Sequence, residues 1–148
     1  MDRRFKMKKI IAIAILALTG SAAQADELLM TSSAAGRAQA VGIDYVSSGK
    51  AVAFDFKIRV EGGEKASVDL SKCMADLPKT HVGKCSFVNG TIIGLAYNDT
   101  NEPLPAGVFK VGSIGISGGG KPEVSYFLAA DKDAVKIESS IRSDAAQK

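Results

Sequence analysis

The chain has 148 residues, 46% apolar and 24% charged, with two Cys, one His and no Trp, which excludes disorder, a collagen repeat and a disulfide-dense mini-scaffold. Its formal charge of +3 belongs to the first 25 residues, where Arg3, Arg4, Lys6, Lys8 and Lys9 stand against Asp2 alone. The other 123 residues hold 14 basic and 15 acidic side chains, which argues against a nucleic-acid partner, and they suffice for one domain with a core but not for two.

Residues 1–25 read as a cleavable export leader. Met1–Lys9 is a positive n-region, Ile10–Leu18 an unbroken apolar run, and Ala23-Gln24-Ala25 the small-x-small pattern a signal peptidase admits. Cleavage is expected between Ala25 and Asp26. The apolar run is about half the roughly 20 residues that span a bilayer, so no membrane span is expected in the mature protein. Export to the periplasm or the medium follows.

Beyond Asp26 no segment keeps a helical period, whereas strand signals recur about every ten residues. Val41, Ile43 and Tyr45 alternate, and Ser47-Ser48-Gly49 turns the chain. In Ala51–Val60, Val52, Phe54, Phe56, Ile58 and Val60 point one way and Asp55, Lys57 and Arg59 the other, as in a strand with one buried and one wet face. Ala66–Leu70 is a brief extended piece. Ser71–Pro78 reads as one helical turn, capped by Ser71 and stopped by Pro78.

Asn89-Gly90, between Cys85–Val88 and Thr91–Tyr97, is the strongest hairpin signal, since a type I′ turn needs positive φ at both central positions. A polar loop, Asn98–Pro105, follows. Along Val108–Ile116 the apolar positions change parity, which predicts a bulge at Gly112-Ser113. Val124, Tyr126 and Leu128 form a further strand, and Val135, Ile137 and Ile141 a last one, with Ser143–Lys148 as a flexible tail. Seven to nine short strands joined by turns predict an all-β antiparallel sandwich over residues 26–142.

Few residues are available for chemistry. Gly115–Lys121 fits the start of a phosphate-binding loop, but Pro122 replaces the Ser or Thr that would hold magnesium. Cys73, His81 and Cys85 fit no familiar zinc spacing, and two Cys in an exported domain are better read as one disulfide, Cys73–Cys85, worth roughly 3 kcal/mol in the chain-entropy model. Asn98–Glu102 offers oxygen ligands without the alternating calcium loop. His81 is the single candidate base, and no Gly-x-Ser-x-Gly elbow occurs. No enzyme activity, metal or cofactor is expected.

From Val52 to Ile116 the chain resembles a cohesin-type domain, a jelly-roll sandwich related to some carbohydrate-binding modules. The resemblance rests on Ala53–Val60, on Asn89–Tyr97 as the strand before a polar loop, and on Asn101–Gly107 with the following Val108–Ile116. It implies a binding module for a protein or a polysaccharide; an exported inhibitor or stress protein, or a structural subunit of a surface assembly, are the alternatives. With no Trp as a stacking platform only Tyr45, Tyr97 and Tyr126 remain, which argues mildly against strong sugar binding.

The two-residue hairpin sets Val88 opposite Thr91 and Phe87 opposite Ile92. Ile93, Leu95 and Tyr97 are then expected in the core with Val88. Phe87, Ile92 and Ala96 fall on the outer face, either covered by a loop or by Leu28–Ala40, or forming an apolar binding patch rimmed by Asn98, Asp99 and Asn101.

Overall fold

The structure, a computed structural model, describes residues 25–35 and 37–145. Ten strands follow in chain order: β1 (Asp26–Ala35), β2 (Ala38–Ser47), β3 (Ala53–Val60), β4 (Ser67–Asp69), β5 (Val82–Val88), β6 (Thr91–Tyr97), β7 (Gly107–Ser117), β8 (Pro122–Ala130), β9 (Lys136–Ile137) and β10 (Ser139–Ala145). They form two five-stranded sheets, β10-β1-β2-β7-β4 and β5-β6-β3-β8-β9. Every pairing is antiparallel except β1 with β10. The chain is an all-β sandwich, as its turn spacing predicts.

The core lies between the sheets. Phe54, Phe56, Ile58 and Val60 of β3 turn inward and Lys57 and Arg59 outward. Facing them, β2 buries Val41, Ile43 and Tyr45, and β7 buries Val111, Ile114 and Ile116. Tyr45 is the hub of an aromatic cluster: its ring stacks on Phe109 at 5.3 Å and tilts against Phe54 at 4.7 Å, while Phe127 meets it edge-on at 5.6 Å. Such pairs add about 0.5–1.5 kcal/mol each beyond the area they bury. The buried hydroxyl of Tyr45 donates to the Asp26 carboxylate, so no polar atom of the cluster is orphaned.

Four sequence expectations change in detail. Leu28–Ala40 is mostly strand, because β1 and β2 pair along nearly their whole length with Leu28 and Met30 in the core. Ser71–Pro78 is a run of tight turns and not a capped helix. Its bonds run from residue i+3 to i (Cys73 N–H to Leu70 O at 3.1 Å, Ala75 N–H to Lys72 O at 3.3 Å), and the Asp69 carboxylate, not Ser71, caps it at Ser71 N–H. The bulge in β7 falls one residue earlier than expected: Ile43 pairs with Gly112 and Asp44 with Lys110, which leaves Val111 as the extra residue. Finally, β10 runs to Ala145, so Ser143–Ala145 are a strand edge laid along β1 rather than a tail.

The turns after β4 act as a strap that crosses from one sheet to the other. Ser113 N–H donates to Lys72 O at 2.9 Å and Asp76 N–H to Val111 O at 3.0 Å, so the strap sits on the bulge of β7. A Cβ on Gly112 would collide with the carbonyl oxygens of Lys72 and Cys73. Glycine is required there by the close backbone approach. The far side of the strap is bonded to β5 by the Cys73–Cys85 disulfide, with Cα atoms 6.4 Å apart.

Candidate functional site

The Asn89-Gly90 turn has φ of 51° and 79°, which is the type I′ geometry its sequence demands. The register is the expected one, with Val88 opposite Thr91 and Phe87 opposite Ile92. The faces are reversed. Ile92 and Ala96 are 0% exposed, and Phe87 is half-buried against the core. These three residues therefore form no outer patch. The cause is Gly94 between them: the Phe56 ring lies where a Gly94 Cβ would stand, so the inner face of β6 takes glycine at that position to admit the ring. Cys85, paired with Gly94 and bonded to buried Cys73, turns inward with them.

The outer face of this sheet holds the residues assigned by sequence to the core. Val82, Val88, Leu95 and Tyr97 are 37–49% exposed, and Tyr126 of β8 joins them at 37%. Strand register places them in rows across the sheet. Lys84, Leu95, Asp55 and Leu128 make one row, and Ser86, Ile93, Lys57 and Tyr126 the next. Val88, Thr91, Arg59 and Glu123 make a third, with Val82 and Tyr97 paired at the opposite end. Among the described residues, five of the eight exposed large apolar side chains thus gather on one sheet face.

Charges frame this apolar surface. Arg59 and Glu123 form an exposed ion pair at 2.6 Å, worth little in itself. The Lys57 ammonium stands 5.3 Å from the centre of the Tyr126 ring, within cation–π range. Partial burial between its neighbours raises the Asp55 carboxyl above the usual carboxylate range, opposed by the charge of Lys57.

The loop expected at the rim follows Tyr97 directly and is tied to the fold. Asn98 is buried: its amide donates to the Thr80 carbonyl, and its Oδ1 accepts from Thr100 N–H and Thr100 Oγ1, both at 2.7 Å, and from Glu102 N–H at 3.1 Å. All these bonds are internal to the fold, so Asn98 shapes the loop, while Asp99 and Asn101 are exposed at its tip. Asn101, with φ of 59°, lines a shallow cleft with Gly49, Lys50, Val52, Pro103 and Asp131.

His81 is buried, with Nε2 3.0 Å from the Val52 carbonyl and Nδ1 2.9 Å from Thr80 Oγ1. Burial holds its pKa below the ordinary histidine value, so the ring is neutral, with Nε2–H donating to Val52 O and Nδ1 accepting from Thr80. The histidine thus fastens the loop before β5 to the start of β3. Neither it nor the bonded cysteines forms the imagined zinc set.

Solved cohesin modules share this fold. A chain of a type I cohesin–dockerin complex from Clostridium thermocellum matches with a TM-score of 0.58 at 12% identity, over 85% of this chain and 97% of its own. The fold is the cohesin fold. The sixth cohesin of scaffoldin B from Acetivibrio cellulolyticus, in complex with a Cel5 dockerin, gives a TM-score of 0.58 at 10% identity, over 84% of this chain and 99% of its own. A non-cellulosomal cohesin from the archaeon Archaeoglobus fulgidus gives 0.56 at 8% identity, over 83% and 92%. No family model and no curated protein matches the sequence. The cohesin likeness at these identities is one of architecture, and it spans both sheets described above.

Proposed function

We propose that the protein is an exported, non-catalytic module that binds another protein through the outer face of β5, β6, β3 and β8. The observation that carries this reading is the gathering of Val82, Val88, Leu95, Tyr97 and Tyr126 on that face. Four strands of about seven residues make a surface of roughly 20 by 24 Å from strand spacing and rise, a substantial part of the ~800 Å² that each partner gives to a standard interface. Apolar and aromatic side chains ringed by charges are the make-up of such an interface.

Two of the similar structures are complexes of cohesins with dockerins, which supports a protein partner over a polysaccharide. On the same face the Lys57 ammonium stands over the ring of Tyr126, which supports a protein partner over a sugar stacked there. The structural use of His81 and of both cysteines supports a non-catalytic role. Export is supported by the leader and by a disulfide suited to an oxidising compartment. Among the described residues, no helix is long and apolar enough to cross a membrane.

The test is affinity capture from a native envelope extract with the mature protein and with Leu95→Arg. The reading predicts a protein retained by the parent, at least tenfold less by the variant, with the urea midpoint of the bait unchanged. Equal retention by both baits, or retention of polysaccharide alone, refutes it.

A further inference from the structure

The carboxylate of Asp26 is fully buried at the first position of β1. It accepts hydrogen bonds from the Tyr45 hydroxyl and, at 2.9 Å, from Ser48 N–H. The main-chain N–H of Asp26 donates to the Glu138 carbonyl at 2.9 Å, where β10 comes alongside. Among the described residues, Arg59 pairs with Glu123 and Arg142 with Glu27, and no cationic side chain reaches Asp26. A buried carboxylate without a cation is costly, and two neutral donors offset only part of that cost.

We propose that removal of the leader supplies the missing cation: the α-ammonium created at Asp26 keeps the bond to Glu138 O and neutralises the buried Asp26 carboxylate, so that the sandwich reaches full stability only after processing. The proposal rests on the export reading and on cleavage between Ala25 and Asp26. Ala25 is exposed, while the nitrogen of the scissile bond belongs to the first residue of β1 and is hydrogen-bonded to Glu138 O. In the hydrolysis, carried out by a leader peptidase, the oxygen of water bonds to the Ala25 carbonyl carbon and the carbon–nitrogen bond breaks. The electron pair stays on the Asp26 nitrogen, which takes up protons to become an ammonium, and Ala25 leaves as the carboxylate end of the leader. The amide has one hydrogen, already given to Glu138 O. The ammonium has three, which leaves two to face its own side chain.

The charge has a pH signature. An α-amine titrates near 7.7–8.0 when unpartnered. A carboxylate partner raises that value in the folded state, so the added stability is complete below about pH 8 and is lost as pH rises through the folded value. Of the groups around this point, the Tyr45 phenol of β2 is pushed far up by burial and by Asp26, and stays protonated throughout. Glu27 of β1 and Arg142 of β10 are paired at 3.2 Å, and the Glu138 side chain is exposed before β10.

The experiment compares the processed protein, its first residue established by N-terminal sequencing, with a form retaining Ala23-Gln24-Ala25, in which the Asp26 nitrogen is an amide. Urea unfolding is followed from about pH 6 to 10. The processed form is expected to show an unfolding constant about tenfold smaller near pH 6–7, with the two curves converging above about pH 8–9. In Asp26→Asn the difference is expected to vanish; should that variant fail to fold, the comparison of the two native-sequence forms decides. Equal midpoints with parallel pH profiles overturn the proposal and leave export intact. A mature terminus at another residue overturns the proposal together with the cleavage site.

Discussion

Replacing Ile92 by Ala removes three carbons from a side chain with no exposed surface, whereas Leu95, three residues along the same strand, is nearly half exposed on the other face. At about 0.8 kcal/mol per buried methylene, the transfer cost at position 92 is about 2.4 kcal/mol. Ile92 lies in the central cluster with Phe54, Phe56 and Ile58, and a sandwich closed by two sheets can collapse onto the vacated space only in part. The residual cavity raises the total to about 3–4 kcal/mol, inside the 2–5 range of such substitutions. For a domain of this size, that corresponds to a fall in Tm of about 10–16 °C. Leu95→Ala is expected to cost less than about 1 kcal/mol, because most of what it removes already touches water. Urea and thermal unfolding of both variants, followed by circular dichroism, measure the contrast. A loss above about 2 kcal/mol for Leu95→Ala with a loss below about 1 for Ile92→Ala would return Ile93, Leu95 and Tyr97 to the core and refute the assignment of faces.

Three further outcomes follow from the same contacts. Gly94→Val forces the Phe56 ring from its place and is expected to cost at least about 1–3 kcal/mol by overpacking, a loss that Phe56→Leu in the same chain partly relieves. Breaking the disulfide with Cys73→Ala and Cys85→Ala together is expected to cost about 3 kcal/mol for a closure spanning 12 residues, read as a lower urea midpoint with the strand spectrum retained. Because His81 is held neutral, with its folded pKa below its unfolded value, its contribution is complete above about pH 6.5 and falls as pH drops toward the folded value. The urea midpoint should thus decline more between about pH 7 and 5 in the parent than in His81→Gln.

Much of the architecture is written in local chemistry. The alternation of Phe54 to Val60 places β3, and Asn89-Gly90 places the β5–β6 turn and its register, because both depend on rules a few residues long. The parity change in β7 announces a bulge, but its position at Val111 depends on the strap carbonyls that meet Gly112, a contact about 40 residues away in the chain. The face of the hairpin is misread for a similar reason. Three large apolar side chains at Ile93, Leu95 and Tyr97 outweigh Ile-Gly-Ala at 92, 94 and 96 by any local count, yet the aromatic ring of Phe56 fills what Gly94 leaves open.

A usable signal existed in Cys85. A disulfide to a buried Cys73 turns the odd positions of β5 inward, and the hairpin register then sends Ile92, Gly94 and Ala96 in the same direction. β1 and β10 are less legible. Apart from Leu28, Leu29 and Met30, β1 is small and polar, and Ile141 is the one large apolar residue of β10. Their parallel pairing is a contact between the two ends of the chain that no local pattern encodes. Asn98 was legible as a polar loop residue, but its work as the tie between Thr80 and Glu102 depends on the fold bringing those backbones together.

The most direct test of the proposed docking face is site-specific photo-crosslinking in the native envelope. A photoreactive side chain at position 95 on the outer face of β6 is compared with one at position 108, the exposed Val108 on the outer face of the opposite sheet. The account predicts a discrete protein adduct from position 95 that disappears when Tyr97→Arg is added, and none from position 108. An adduct from position 108 with none from 95, or one from 95 that survives Tyr97→Arg unchanged, would contradict it.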